Sequence, residues 1–208
     1  METGVRACAS RARQKTILNA ALRLFLEKGF GATTLDQILE LSGASVGSFY
    51  HHFQGKVDVA AALYLETLES YQVAFVNELH RHHDARSGIE AAVHHHLKWT
   101  GRNPELATYL THCREPEVTE ASEGRAQELN RSFLEQTGAW LLARVQEGKV
   151  RRLSASLYHA LWMGPSDEFT RLWLLGPQPR DVKQLTKAED LLAETAWENL
   201  RARPLRSR

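Results

Sequence analysis

The chain has 208 residues, 43% hydrophobic and 25% charged, which suits one large folded domain or two modest ones and excludes a disordered chain. No apolar run approaches the roughly 20 residues that cross a bilayer, and the first residues carry basic side chains with no apolar stretch behind them. Neither a membrane span nor a secretory leader is expected, and the chain is read as cytoplasmic. The net charge of +1 conceals a basic start, with Arg6, Arg11, Arg13, Lys15 and Arg23 against Glu2 alone. Such a distribution suits a polyanionic partner. The two cysteines, Cys8 and Cys113, are too few for a disulfide framework and read as free thiols.

In chain order the periodicity is helical almost throughout. Residues 1–10 read as a flexible basic tail. Ile17, Leu18, Ala21, Leu24 and Phe25 follow the spacing of one buried helix face, and Gly29 closes that helix. Thr34 with Gln37 three residues on forms a capping box for a short helix whose apolar residues are Leu35, Ile38 and Leu39. Gly43-Ala44-Ser45 is a turn of only three residues. Ser45 then caps a second short helix, with Val46, Phe49 and Phe53 as its expected buried side. Gln54-Gly55 breaks the chain before a long helix carrying Tyr64, Leu68, Tyr71, Phe75 and Leu79.

Beyond about His83, helices are expected from Ile89 to Thr100, Glu105 to His112, Glu120 to Gln146, Ser154 to Leu175 and Lys187 to Arg201. The fourth of these is interrupted at Gly164-Pro165, where proline breaks the ladder. No segment alternates like a strand, so the fold class is all-α, with about nine helices.

Two short helices joined by a three-residue, glycine-containing turn are the signature of a helix-turn-helix. Gly47 and Ser48 are small enough to let the second helix sink into a major groove. Tyr50 and His52 can reach phosphates, as can Lys56 at the start of the next helix. At this point the sequence resembles the DNA-binding domain of the TetR family of repressors. The resemblance runs ungapped from Arg11 to about Tyr71. It rests on Ile17, Leu18, Ala20-Ala21, Leu24-Phe25, Gly29-Phe30, Thr33-Thr34, Ile38, Gly43, Ser45, Gly47, Phe49-Tyr50, His52-Phe53 and Lys56. Leu39 and Ser42 depart from it, standing where the family usually has alanine.

The resemblance implies a helix-turn-helix domain over 11–57, with the motif itself at 34–53. A ligand-binding and dimerisation domain over 58–203 and a short tail at 204–208 would complete the chain. It implies a homodimer on a palindromic double-stranded operator, with a small-molecule effector. Thr34, Tyr50, His52 and Lys56 match phosphate-holding positions, and Ser45, Val46, Gly47, Ser48 and His51 match positions close to bases. Arg11, Arg13 and Lys15 form a basic arm for backbone or minor groove.

Trp99, Tyr109, Trp140 and Trp162 fall on helices that line the family's pocket, where a largely apolar effector would bind. Leu157, Leu161, Leu172, Trp173, Leu191, Leu192 and Leu200, on the two late helices, are the expected dimer interface. The function so implied is transcriptional repression relieved by that ligand. The alternatives are a regulator without a small ligand, or a metal- or redox-responsive repressor.

Histidines at His80, His82, His83 and the run His94-His95-His96 invite the metal reading. Adjacent residues on a helix point apart by about 100°, however, so no metal site is assigned. His112 beside Cys113 is no better placed, because neighbours on a helix do not face each other. No phosphate loop, nucleophile elbow or paired carboxylates are found, so neither an enzyme nor a cofactor is expected.

Overall fold

The computed structural model describes residues 2–112, 115–177 and 180–202, with side chains from Cys8 onward. Cys113 and the tail expected at 204–208 lie outside the described residues. Within them the chain forms ten helices, which we number α1 (Glu2–Lys28), α2 (Leu35–Ser42), α3 (Val46–His52), α4 (Lys56–His80), α5 (Ala85–Arg102), α6 (Pro104–His112), α7 (Pro116–Gln146), α8 (Ala155–Trp162), α9 (Gly164–Leu175) and α10 (Val182–Leu200). The all-α reading holds. Of the flexible tail expected over residues 1–10, residues 2–10 are instead the first part of α1. Its alanines and arginines are strong helix formers, so nothing there stops the helix growing backwards from the packed turn at Ile17.

The chain divides into two compact units, Met1–Glu69 with Glu105–Gln127, and Ser70–Pro104 with Glu128–Arg208. In the first, α1 buries Ile17, Leu18, Ala21 and Phe25 against Ile38 of α2, Phe49 of α3, and Val59 and Leu63 of α4. The first unit is larger than the 11–57 head read from sequence because Tyr109 of α6 joins this core. Its ring stacks on Phe25 at 6.1 Å and its hydroxyl donates to the Ala60 carbonyl at 2.9 Å. Tyr109 is therefore a core residue of the head, which corrects its expected place in a ligand pocket.

In the second unit α5 packs against α10. Ile89, Ala92, Val93 and Leu97 are buried on α5, and Leu185, Ala193, Ala196 and Leu200 on α10. The α7–α8 loop is pinned to the end of α10. Arg151 N–H donates to the Leu200 carbonyl at 3.0 Å and Ala202 N–H to that of Lys149 at 2.8 Å. The late helical run breaks at Met163, with Pro165 in the first turn of α9.

α10 begins five residues before the expected Lys187, because the Asp181 side chain accepts the Lys183 N–H at 2.9 Å and caps it. Leu200 is completely buried, and Trp173 is buried with its indole N–H on the Asp181 carbonyl at 3.1 Å. Neither can meet a partner subunit, so both leave the expected interface. Leu161 and Leu192 are half-buried. Leu157, Leu172 and Leu191 are exposed, and so are Leu175 and Val182 nearby in sequence.

Candidate nucleic-acid interface

The helix-turn-helix is built from local chemistry. Thr34 Oγ1 accepts the Gln37 N–H at 3.3 Å while Gln37 Oε1 accepts the Thr34 N–H at 3.1 Å, completing the capping box that starts α2. Gly43 ends α2 with φ of 62°, a left-handed conformation that side chains with a Cβ resist. Two residues later Ser45 Oγ accepts the Ser48 N–H at 3.2 Å and starts α3. Phe49 and Phe53 anchor α3 in the core. Val46, read from its spacing as a third buried residue, is 58% exposed instead. At the first position of a seven-residue helix its side chain points away from α1 and α2.

The outward face therefore carries Val46, Gly47, Tyr50 and His51, all exposed, with Ser48 and His52 half-covered. The His51 and His52 rings meet edge to face at 4.9 Å. Burial, and after it the His51 charge, hold the His52 pKa below its ordinary 6.5, so near neutral pH this ring offers a neutral N–H rather than a charge. Thr34 is exposed at the start of α2, and Arg11, Arg13 and Lys15 are exposed along α1.

Lys56 behaves differently from the expectation. Its Nζ donates to the carbonyls of Phe30 at 2.8 Å and Thr33 at 2.9 Å and sits 4.3 Å from the centre of the Phe30 ring. The lysine thus ties the start of α4 to the α1–α2 loop, and two of its three donors are committed inside the head. Asp58, in the first turn of α4, accepts the Gln54 N–H at 3.0 Å and so ties the α3–α4 loop to α4, a contact the sequence pattern does not show. Hydrogen bonds to a charged group contribute about 1.5–3 kcal/mol each. Lys56→Met, which keeps the stem, is therefore expected to destabilise the chain by about 2 kcal/mol or more in urea unfolding. A variant as stable as the wild type, with a shallower dependence of DNA affinity on salt, would put Lys56 on a phosphate after all.

The interior of the second unit holds the other residues singled out by sequence. Trp140 and Trp162 are buried and stacked, ring centres 6.4 Å apart. Their indole N–H groups donate to the carbonyls of His82 and Ile89, each at 3.1 Å. Trp99 is half-buried and meets Tyr71 at 4.9 Å. Phe75 bridges Trp162 and Phe133.

A polar chain runs through this aromatic layer. Tyr71 hydroxyl and His96 Nδ1 are 2.8 Å apart, and His96 Nε2 lies 3.0 Å from Thr170 Oγ1. Thr170 already donates its one hydroxyl hydrogen to the carbonyls of Ser166 and Asp167. His96 Nε2 must therefore be the donor to Thr170, and Nδ1 accepts from Tyr71. Among the described residues no group of three His, Cys, Asp or Glu is placed to hold a metal ion.

Burial, and next the neighbouring His95, lower the His96 pKa from 6.5 to about 4. The unfolded chain takes up this proton near pH 6.5 and the folded chain only near pH 4. The stability linked to His96 is thus present above pH 6.5 and lost as pH falls toward 4, by about 3 kcal/mol in all. Asp167 works in the opposite sense, since burial, against the His159 charge, raises its carboxyl pKa above 3.8 and removes part of the acid loss. Urea midpoints are expected to fall from pH 7 to pH 5 in the wild type and to fall less in His96→Gln. Equal falls would place the acid sensitivity elsewhere.

A short helix seated by Phe49 and Phe53, preceded by a left-handed glycine turn and showing a small, polar outer face, defines a helix-turn-helix. The class is a DNA-binding transcription regulator rather than an enzyme. Residues 17–63 match the family described as bacterial regulatory proteins, tetR family, and the head of this chain is a TetR-family DNA-binding domain.

The regulator RutR of Escherichia coli is 42% identical over 66 residues, which cover 32% of this chain and 29% of that one. The fatty acid metabolism regulator protein of Bacillus subtilis is 19% identical over 179 residues, 86% of this chain and 92% of that protein. The crystal structure of the transcriptional regulator FadR from Bacillus subtilis in complex with stearoyl-CoA shares the fold. It superposes with a TM-score of 0.74 at 18% identity, covering 89% of this chain and 98% of that one. No described helix is long and apolar enough to cross a membrane.

Proposed function

We propose that this chain is a cytoplasmic homodimeric repressor that holds a palindromic operator through two copies of α3 and releases it on binding a small apolar ligand. The observation that carries the DNA-binding face is Gly47. Glycine inside a helix costs about 0.5–1 kcal/mol relative to alanine. A Cβ there would meet nothing within 4 Å beyond its own helix, as is also true of Gly124 and Gly138 in α7, so open space alone does not single Gly47 out. What does is its place on the exposed face of α3, just after the Gly43 turn, where close approach to the major groove leaves least room for a side chain. On this reading Ser45, Val46, Gly47, Ser48 and His51 lie near bases, Thr34, Tyr50 and His52 near phosphates, and Arg11, Arg13 and Lys15 along the backbone.

The ligand reading is supported by the whole-length likeness to a fatty acid regulator and to a structure holding stearoyl-CoA. The aromatic layer of Tyr71, Phe75, Trp99 and Phe133 suits an apolar guest. A fatty acyl thioester is the first candidate. A ligand of this kind can act only by binding one conformer more tightly than the other.

The test is to form the complex with a duplex selected from genomic DNA and titrate it with acyl-CoA esters of increasing chain length, with free CoA as control. Saturable release by the esters and none by free CoA is expected. A complex indifferent to every ester would leave a regulator without this class of ligand.

A further inference from the structure

The base-facing surface of α3 has an unusual composition. The helix reads Val-Gly-Ser-Phe-Tyr-His-His and contains no Arg, Lys, Asn, Gln, Asp or Glu. It therefore lacks every side chain that makes the common bidentate contacts to guanine or adenine, or accepts from the cytosine amino group. Ser45 Oγ accepts the Ser48 N–H and keeps only its own hydroxyl hydrogen to offer, Gly47 has no side chain, and Phe49 is buried. What remains at the start of the helix is two serine hydroxyls, neither able to make a bidentate contact, and the isopropyl group of Val46.

Val46 is 58% exposed although nothing in the fold requires an apolar residue there. Its β-branched side chain has essentially one rotamer in a helix, so the two methyl groups are held in a fixed direction. The major groove presents one apolar group, the 5-methyl of thymine.

We infer that Val46 reads this operator by packing its methyl groups on a thymine 5-methyl in each half-site. The inference rests on the DNA-binding role proposed for α3 and adds to it the chemical identity of the base read there. Ser48 can donate to or accept from any neighbouring base edge and so adds little discrimination. Sequence preference at this position thus resides in a single methyl contact, and replacing thymine by any base without that methyl weakens binding.

The experiment separates the two levels. The full-length chain selects duplexes from a random pool, and each thymine of the enriched half-site is then replaced in turn by deoxyuridine, which removes the methyl and keeps every hydrogen-bonding group. One position per half-site is expected to show a loss of roughly fourfold, and roughly fifteenfold when both half-sites carry the replacement. In Val46→Ser the thymine and uracil duplexes are expected to bind equally, with the helical circular dichroism of the wild type.

An enriched site without a conserved thymine, a flat deoxyuridine scan on the wild type, or a penalty undiminished in Val46→Ser overturns the inference while leaving DNA binding intact. A pool from which nothing is enriched overturns the DNA-binding role as well.

Discussion

Gly88→Ala is expected to destabilise the chain by about 2–3 kcal/mol, although the same exchange inside a helix ordinarily stabilises by up to ~1 kcal/mol. A Cβ at Gly88 would overlap Cζ2 of Trp140 and stand 2.7 Å from its Cη2. The indole cannot simply step aside. Its N–H is bonded to the His82 carbonyl, and its ring is stacked on Trp162, whose own N–H is bonded to the Ile89 carbonyl beside Gly88. Moving Trp140 breaks a partly buried hydrogen bond and disturbs a ring that is itself anchored to α5. Interiors packed this closely transmit such a shift rather than absorb it. Urea unfolding followed by tryptophan fluorescence measures the effect. A variant equal to or more stable than the wild type would mean that Trp140 repacks freely.

The double variant Leu172→Glu, Leu191→Glu is expected to leave a folded monomer that has lost operator binding. Leu172 is 56% exposed and Leu191 67% exposed, so neither charge disturbs the interior of its own unit. Leu172 of α9 and Leu191 of α10, with the exposed Leu157, Leu175 and Val182, are the residues on which the proposed partner subunit would close. In an assembled dimer each glutamate would be buried without a partner, at about 3–5 kcal/mol, which weakens association by a hundredfold or more. One head alone contacts too few base pairs for specific affinity. Light scattering and operator binding, measured on a variant with wild-type thermal stability, test this. A variant still dimeric at micromolar concentration would move the interface off α9 and α10.

What could be read from the sequence was the chemistry that acts over three or four residues. The Thr34–Gln37 capping box, the Gly43 turn and the Ser45 cap are each decided by neighbours along the chain, and each stands where the pattern placed it. What could not be read depends on partners far away in sequence. Val46, Phe49 and Phe53 have the spacing of one helix face, but spacing does not say which way a seven-residue helix is turned, and the core takes only the two phenylalanines. Lys56 suited a phosphate by its position, yet the Phe30 and Thr33 carbonyls claim its amine from more than twenty residues away. Tyr109 belonged by order to the second domain, and only the folded chain shows its ring against Phe25. Leu200 and Leu191 are equally apolar on the same helix, and only the folded chain shows the first buried and the second exposed.

The central claim is that two heads on one dimer recognise one DNA sequence. It is tested most directly by mixing the wild-type chain with the selected duplex and with a scrambled duplex of the same composition. Mass and affinity are then measured across a range of salt concentrations. The account predicts two chains per selected duplex and a preference of at least about a thousandfold over the scrambled one. It further predicts a log affinity that falls linearly with log salt and less steeply when Arg11, Arg13 and Lys15 are all replaced by alanine, by up to about 0.9 in slope for each phosphate contact removed. Equal affinity for the two duplexes, or one chain per duplex at saturation, would contradict it.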